Sequence, residues 1–360
     1  MEAADRIGPV RAADRGGETS VEPSSAVAVA VPAPFAQALR ELGLAGAEPL
    51  TGTPLAGGVS SDIWRIETAR GPVCAKRALP KLRVAADWRA PIERNLYEAR
   101  WMQLANQALP GCAPQVLGQH PALGVLVMSY HDAAGHRLWK DTLRAGQADL
   151  ETARAVGRTV ARIHAYSAAQ PGLAKRFDTD TIFFDIRLEP YLLATARRHP
   201  DLAPSLERLV SVTQANAKAL VHGDVSPKNI LIGAHGPVIL DAECAWWGDP
   251  AFDIAFCLNH LLLKCLWTPS ATPAFLASYA ALADAYLQAV DWEPRAALER
   301  RAAELLPGLL LARVDGKSPV EYITDESQRD IVRRVASALL RRPVACLQAI
   351  GAAWREGLPR

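Results

Sequence analysis

Apolar positions recur along the chain in two different rhythms, and the change from one to the other divides the sequence. Between Leu50 and Tyr130, short apolar runs alternate with turns, at Ile63–Glu67, a Gly71-Pro72 turn, Val73–Lys76 and Val125–Tyr130, which predicts β-strands. Helical spacing precedes them at Pro34–Leu44 and interrupts them at Pro91–Ala108, where Leu96, Trp101 and Leu104 stand among charges. From about Leu138 the rhythm is that of long Ala-, Leu- and Arg-rich helices: Asp149–Ser167, Leu188–His199, Leu202–Ala217, Pro250–Trp267, Pro273–Val290, Arg295–Leu311, and Glu326 to near Trp354. One β island breaks this run, with Leu220-Val221, Ile230–Ile232, a Gly233–Gly236 turn and Val238–Leu240. The pattern predicts an α+β, two-lobed chain with a cleft between lobes. Residues 1–32 are expected to be a disordered tail, 33–130 a small lobe of one sheet and one helix, and 131–360 a large helical lobe holding the hairpin.

Length and charge narrow the choices. A chain of 360 residues allows two domains or one bilobal unit, at roughly 100–200 residues per domain. Forty Lys and Arg against 38 Asp and Glu leave a net charge of +2, too little for dedicated nucleic-acid binding. Of the basic residues 32 are Arg and only 8 Lys, so each lysine is worth examining. The six cysteines show no CxxC pair or metal-ligand spacing, which predicts reduced, mostly buried thiols in a cytoplasmic protein. No apolar run reaches the ~18 residues needed to span a bilayer, and the N-terminal stretch lacks the order of a signal peptide.

The chemistry concentrates in the β island. Val221-His222-Gly223-Asp224 is followed by Val225-Ser226-Pro227-Lys228-Asn229, then by Leu240-Asp241-Ala242-Glu243, Gly248-Asp249-Pro250 and Asp253. An Asp followed five residues later by an Asn, on a loop entering a hairpin whose second strand ends in another Asp, matches the template of kinase-type phosphoryl transfer. Asp224 would orient a hydroxyl or accept its proton. Asn229 and Asp241 would offer the hard oxygen ligands that Mg²⁺ prefers. The bland alternative is a surface hairpin of turn-forming residues.

His222-Gly223-Asp224 through Asn229, with Gly248-Asp249-Pro250 and Asp253, resembles the aminoglycoside phosphotransferase and choline kinase superfamily. The resemblance implies a bilobal protein-kinase-like fold and an ATP- and Mg²⁺-dependent enzyme acting on a small-molecule hydroxyl, with Asp253 bracing the catalytic loop. Gly223 stands where protein kinases carry an Arg that answers activation-loop phosphorylation, which disfavours a regulated protein kinase. The N-lobe offers the remaining parts of a nucleotide site. Gly57, Gly58, Ser60 and Ser61, in Ala56-Gly57-Gly58-Val59-Ser60-Ser61-Asp62, could fold over a triphosphate or form an ordinary glycine turn. Lys76 ends an apolar strand, where an unpaired ammonium would be costly. Glu98 is its expected partner, with Glu93 as competitor, and Val127-Met128-Ser129-Tyr130 is the expected hinge for adenine. Gly316-Lys317-Ser318 resembles the end of a P-loop, but Leu311 occupies the position of the required first Gly.

Further segments resemble the 5-methylthioribose kinases: Lys76 to Pro80 with Arg83, Trp88, Arg94 and Glu98, Leu138 to Gly146, Asp241-Ala242-Glu243, and Arg313 to Gly316 leading to Tyr322. The resemblance implies that Glu243 is a second metal-site carboxylate, the alternative being a salt-bridged hairpin residue. It also implies that Arg313 meets a sugar substrate and that the chain forms a homodimer. Two departures stand out. Asn229 is a feature that family usually lacks, and its paired arginine is here Ala312-Arg313. Trp246 and Trp247 could wall a ribose pocket or cap the core. Lys228 could point at the transferring phosphoryl or into solvent, and His222 reads as a hydrogen-bonding brace. The reading is therefore a small-molecule kinase, possible acceptors being a methylthioribose-like sugar, an aminoglycoside or choline-like amino alcohol; the alternative of another kind is a nucleotide-binding pseudokinase. The Arg-rich stretch 273–360 argues against polycationic acceptors.

Overall fold

The computed structural model describes residues 28–55, 60–81 and 91–359. Six strands form one antiparallel sheet: β1 (Val29–Ala30), β2 (Thr51–Pro54), β3 (Ser61–Thr68), β4 (Gly71–Ala78), β5 (Val116–His120) and β6 (Val125–Ser129), ordered β1-β2-β3-β4-β6-β5. Residues 29 and 30 pair with β2, so a strand lies within the stretch expected to be tail; residues 1–27 lie outside the described residues. Two helices cover the sheet, at the two places where helical spacing was read. Helix α1 (Ala33–Glu41) buries Phe35, Ala36, Ala38 and Leu39 against Ile66, Val73, Ala75, Val125 and Val127. Helix α2 (Arg94–Ala108) joins the other core, with Ala99 and Met102 beside Leu126 and Met128. Successive side chains of a strand point to opposite faces, so the unbroken apolar run of β6 reflects burial on both sides.

The helical lobe comprises α3 (Trp139–Arg144), α4 (Leu150–Ala168), α5 (Asp180–Phe183), α6 (Ala194–Arg198), α7 (Ala203–Ala215), α8 (Ala251–Trp267), α9 (Thr272–Gln288), α10 (Arg295–Asp315), α11 (Glu326–Arg341) and α12 (Leu347–Gly357). Helix α8 is buried on every side from Ala251 to Leu266, as expected of a helix apolar all round. Two expected helices change form. Where Leu188–His199 reads as one α-helix, residues Phe184–Leu193 wind as wide π-helical turns around Pro190, which has no N–H for a regular ladder. The long final helix divides into α11 and α12 on either side of Pro343, for the same reason and because a residue before proline avoids the helical region.

Two short ladders position the β island. Strands β9 (Ile230–Gly233) and β10 (Gly236–Ile239) form the expected hairpin, and β7 (His136–Leu138) adds a third strand. Strand β8 (Ala219–Val221) pairs with β11 (Trp246–Gly248). The loops 222–229 and 240–245 are thus pinned at both ends and lie side by side. All six cysteines are free, and among the described residues no helix is long and apolar enough to cross a membrane.

Candidate active site

The loop after β8 is held by one carboxylate. Asp253, in the first turn of α8, accepts the backbone N–H of His222 at 2.7 Å and of Gly223 at 2.8 Å, and lies 3.1 Å from His164 Nε2. Gly223 has φ of +78°, and a Cβ there would come within 2.8 Å of the Cys244 Cβ and 2.9 Å of its carbonyl oxygen. Both facts require glycine. His222 accepts the Asp224 N–H at Nδ1, 3.1 Å, and its Nε2 lies 3.0 Å from the Leu240 carbonyl. These bonds need a neutral ring with the proton on Nε2. Burial also favours that form, outweighing Asp253, Asp224 and Asp241, and holds His222 below its ordinary value. With both nitrogens engaged, His222 braces the two loops.

Asp224 is buried, and its Oδ2 lies 3.0 Å from Lys228 Nζ and 3.1 Å from Arg187 Nη2. Burial opposes its charge, but the two cations outweigh that and hold the carboxyl below its usual range. Arg187, which the sequence reading missed, comes from the π-helical segment, donates to the Gly223 carbonyl and stacks near Tyr191 and Phe256. Its only sequence signal was an arginine in the apolar stretch Ile182 to Leu188. Asn229 gives its amide N–H to the Asp224 carbonyl at 3.1 Å, leaving its oxygen as the end for an outside partner. Lys228 is half-exposed, so it touches Asp224 and solvent together.

Across the cleft, Lys76 on β4 is buried and lies 3.0 and 2.9 Å from the two oxygens of Glu98 on α2. It also bonds Asp241 Oδ1 and stands 3.9 Å from Glu243. Glu93, the competing partner, is exposed at the start of α2. Burial disfavours the Lys76 ammonium, but Asp241, Glu98 and Glu243 overcome it and raise the group well above its ordinary value. The Asp241 carboxyl is held low by Lys76 and Lys228 against burial. Burial, with help from Asp241 and Glu243, pushes Glu98 up to about 7 in spite of Lys76. Asp241 has φ of +68°, the one positive φ among described non-glycine residues, a strain that often accompanies a functional site. Glu243 accepts Arg94 Nε at Oε2, 3.1 Å, and is partly exposed, so the ion pair is present and Oε1 bonds no described residue.

The other expected residues divide. Gly57 and Gly58, with Arg83 and Trp88, lie outside the described residues. Ser60 accepts Leu79 N–H through its carbonyl at 2.9 Å, and the Ser61 hydroxyl is buried without a partner among the described residues. Met128 is buried in β6, and Tyr130 just beyond carries Arg65 over its ring at 5.1 Å. Trp246 is buried at 2 % exposure, stacks on Phe183 at 4.2 Å and donates to Asp180. It caps the core and walls no ribose pocket. Arg313 on α10 is buried and donates to Tyr191 Oη at 3.0 Å and to Ser318.

Among the described residues no three His, Cys, Asp or Glu side chains form a preformed metal cage. The donors that do face the cleft are oxygens, the Asp241 and Glu243 carboxylates and the Asn229 amide. That set fits Mg²⁺, which is usually held by one or two carboxylates with phosphate oxygens and water completing its shell. The model of the phosphotransferase enzyme family matches residues 51–298, a span containing Lys76, Glu98, Asp224, Asn229 and Asp241. The chain belongs to that family. Methylthioribose kinase of Erwinia tasmaniensis is 28 % identical over 230 residues, 56 % of this chain and 56 % of that protein. Its counterpart in Cronobacter sakazakii is 25 % identical over 226 residues, 55 % of each. The chain thus spans little more than half the length of the curated relatives it matches. An ethanolamine kinase from Plasmodium vivax superposes with a TM-score of 0.52 at 14 % identity, over 82 % of this chain and 84 % of that one. The fold of this family member is the bilobal, protein-kinase-like one.

Proposed function

We propose that the chain is an ATP- and Mg²⁺-dependent kinase that transfers the γ-phosphoryl group to a hydroxyl of a small metabolite, a methylthioribose-like sugar being the leading acceptor. The observation that carries the reading is the meeting of Lys76 from the N-lobe sheet with Asp241 from the C-lobe hairpin, beside the loop that holds Asp224 and Asn229. Phosphoryl transfer needs positioning and charge neutralisation more than covalent chemistry. Lys76, kept charged and aimed by Glu98, would bind phosphate oxygens. Asp241 and Asn229, with Glu243, would hold the metal, which when bound neutralises charge on those oxygens. Asp224, kept ionised by Lys228 and Arg187, would orient the acceptor hydroxyl and take its proton late in the transfer. Lys228 is half-exposed and could follow the phosphoryl group as charge spreads. The names of the relatives support the acceptor. A homodimer in the cytoplasm is a further expectation from the resemblance.

The test is D224N assayed with an acceptor panel that includes methylthioribose. Turnover should fall by about 100- to 10,000-fold, the range for a lost general base, while ATP affinity is retained. Turnover at the wild-type rate in D224N would refute the assignment.

A further inference from the structure

We infer that the active site extends along α8 into an anion-binding subsite formed by His260, Lys264 and Arg313 with Trp267 and Tyr322, and that the acceptor is a sugar bearing an acidic group there, a carboxylate or a phosphate ester, in place of the neutral methylthio group of methylthioribose. This rests on the small-molecule kinase reading and gives its acceptor a chemical class.

Phe256, His260 and Lys264 are spaced by four and share one face of α8. Phe256 lies under Arg187, the partner of Asp224, and Lys264 follows about 12 Å further along the helix axis. The face therefore leads from the reacting hydroxyl's position to the cluster. Three side chains there are at least nine-tenths buried, His260 at 5 %, Lys264 at 1 % and Arg313 at 6 % exposure. Each has a nitrogen without a hydrogen-bond partner. His260 Nε2 and Arg313 Nε have no hydrogen-bond partner among the described residues. Lys264 Nζ lies 3.8 Å from the ring centroids of both Trp267 and Tyr322, and no described carboxylate or carbonyl bonds it. Buried polar groups without partners are rare in a core built for stability alone, and a buried amine without an acceptor is costly.

The charges are also one-sided. Lys140 reaches the cluster from α3 and is engaged by Glu321, while Asp141 is the other acid nearby. Burial, then Lys140 and Arg313, push the Lys264 amine down to about 6 in spite of Glu321 and Asp141. Burial, then Arg313, Lys264, Lys228 and Lys140, hold His260 well below its ordinary value. An anion would supply the missing acceptor, return the charge to Lys264 and relieve the repulsion among the cations. A cationic acceptor such as an aminoglycoside would meet that repulsion. The rings of Trp267 and Tyr322 are only half-buried, so the cluster reaches solvent beside them.

The experiment reads binding directly on the full chain, so the subsite can fail separately from the kinase reading. Inorganic phosphate, D-ribose 5-phosphate and D-ribonate are titrated by calorimetry at constant ionic strength, with D-ribose as the neutral control, into wild type, K264M and K264R. Wild type should bind the three anions in preference to ribose. K264M should bind them at least about tenfold more weakly, as expected for losing a charge-assisted hydrogen bond, and K264R should recover most of the affinity. K264M should also melt higher than wild type, which a lysine needed only for structure would not produce. Anion affinity unchanged in K264M, or no preference for anions over ribose, overturns the subsite. Anion binding that depends on Lys264 in a chain that turns over no acceptor with ATP would uphold the subsite and sink the kinase reading.

Discussion

Asp224, the proposed reacting group, illustrates how a side chain is set by neighbours distant in sequence. Lys228 belongs to its own loop, but Arg187 lies on a separate π-helical segment and touches both the Asp224 carboxylate and the Gly223 carbonyl. Arg187 acts through Asp224 rather than on a substrate, so it is a positioning residue. R187M is expected to lower kcat by about 10- to 100-fold, the range seen when a partner orienting an active-site group is removed, with little change in the KM for ATP. Steady-state kinetics with each substrate varied would separate the two constants. An equal rise in the KM for ATP would place Arg187 in the nucleotide site instead. Glycine at 223 belongs to the same scale, since its positive φ and the nearby Cys244 leave no room for a side chain.

Helix α8 shows what an element contributes beyond its residues. Its N-terminal turn supplies Asp253 to the loop 222–229, its middle supplies core, and its last turns carry His260 and Lys264. The Lys264 amine faces Lys140 and Asp141 of α3, Arg313 of α10, Glu321 and its own neighbour His260. In the unfolded chain the amine keeps its proton up to its ordinary value of 10.5, whereas in the folded chain it loses it at about 6. Between those values the unfolded state binds more protons, so this group makes the fold more stable as pH rises. The stability advantage of K264M over wild type should therefore be greatest at pH 6 and below, on the order of 5 kcal/mol, and shrink as pH approaches 10.5. Urea denaturation across that range would show it, and a gap independent of pH would contradict the account.

At the scale of the molecule, the two lobes are joined at the site itself. Lys76 reaches Asp241 across the cleft, and Arg94 gives Nε to Glu243 while its other nitrogens bond the carbonyls of Pro91, Leu79 and Ser60. Arg94 is buried at 1 % exposure, so R94M would leave Glu243 and several carbonyls without their donor. The expected loss is about 3–5 kcal/mol, typical of breaking one side of a buried pair. It should appear as a lower urea midpoint, with the slope of the transition unchanged if the chain still unfolds as one unit. An unchanged midpoint would show that the lobes do not depend on this link.

Sequence alone determined the local parts. The shift from strand to helix rhythm located the lobes, and the spacing from Asp224 to Asn229 and on to Asp241 located the two loops of the candidate site, because turns, hairpins and i, i+5 spacings are fixed by nearby residues. A carboxylate partner for Lys76 was legible because an ammonium inside an apolar strand demands one, and the structure pairs it with Glu98 rather than Glu93. What the tertiary structure decided are contacts between elements with no local signature. Arg187 reads as one arginine among 32 until the π-helical segment places it on Asp224. Trp246 could have walled a pocket or capped the core until Phe183 stacked on it. His260 and Lys264 read as polar interruptions of a buried helix. Only packing against Arg313, Trp267 and Tyr322 leaves a nitrogen of each without a partner and gives them a chemical purpose.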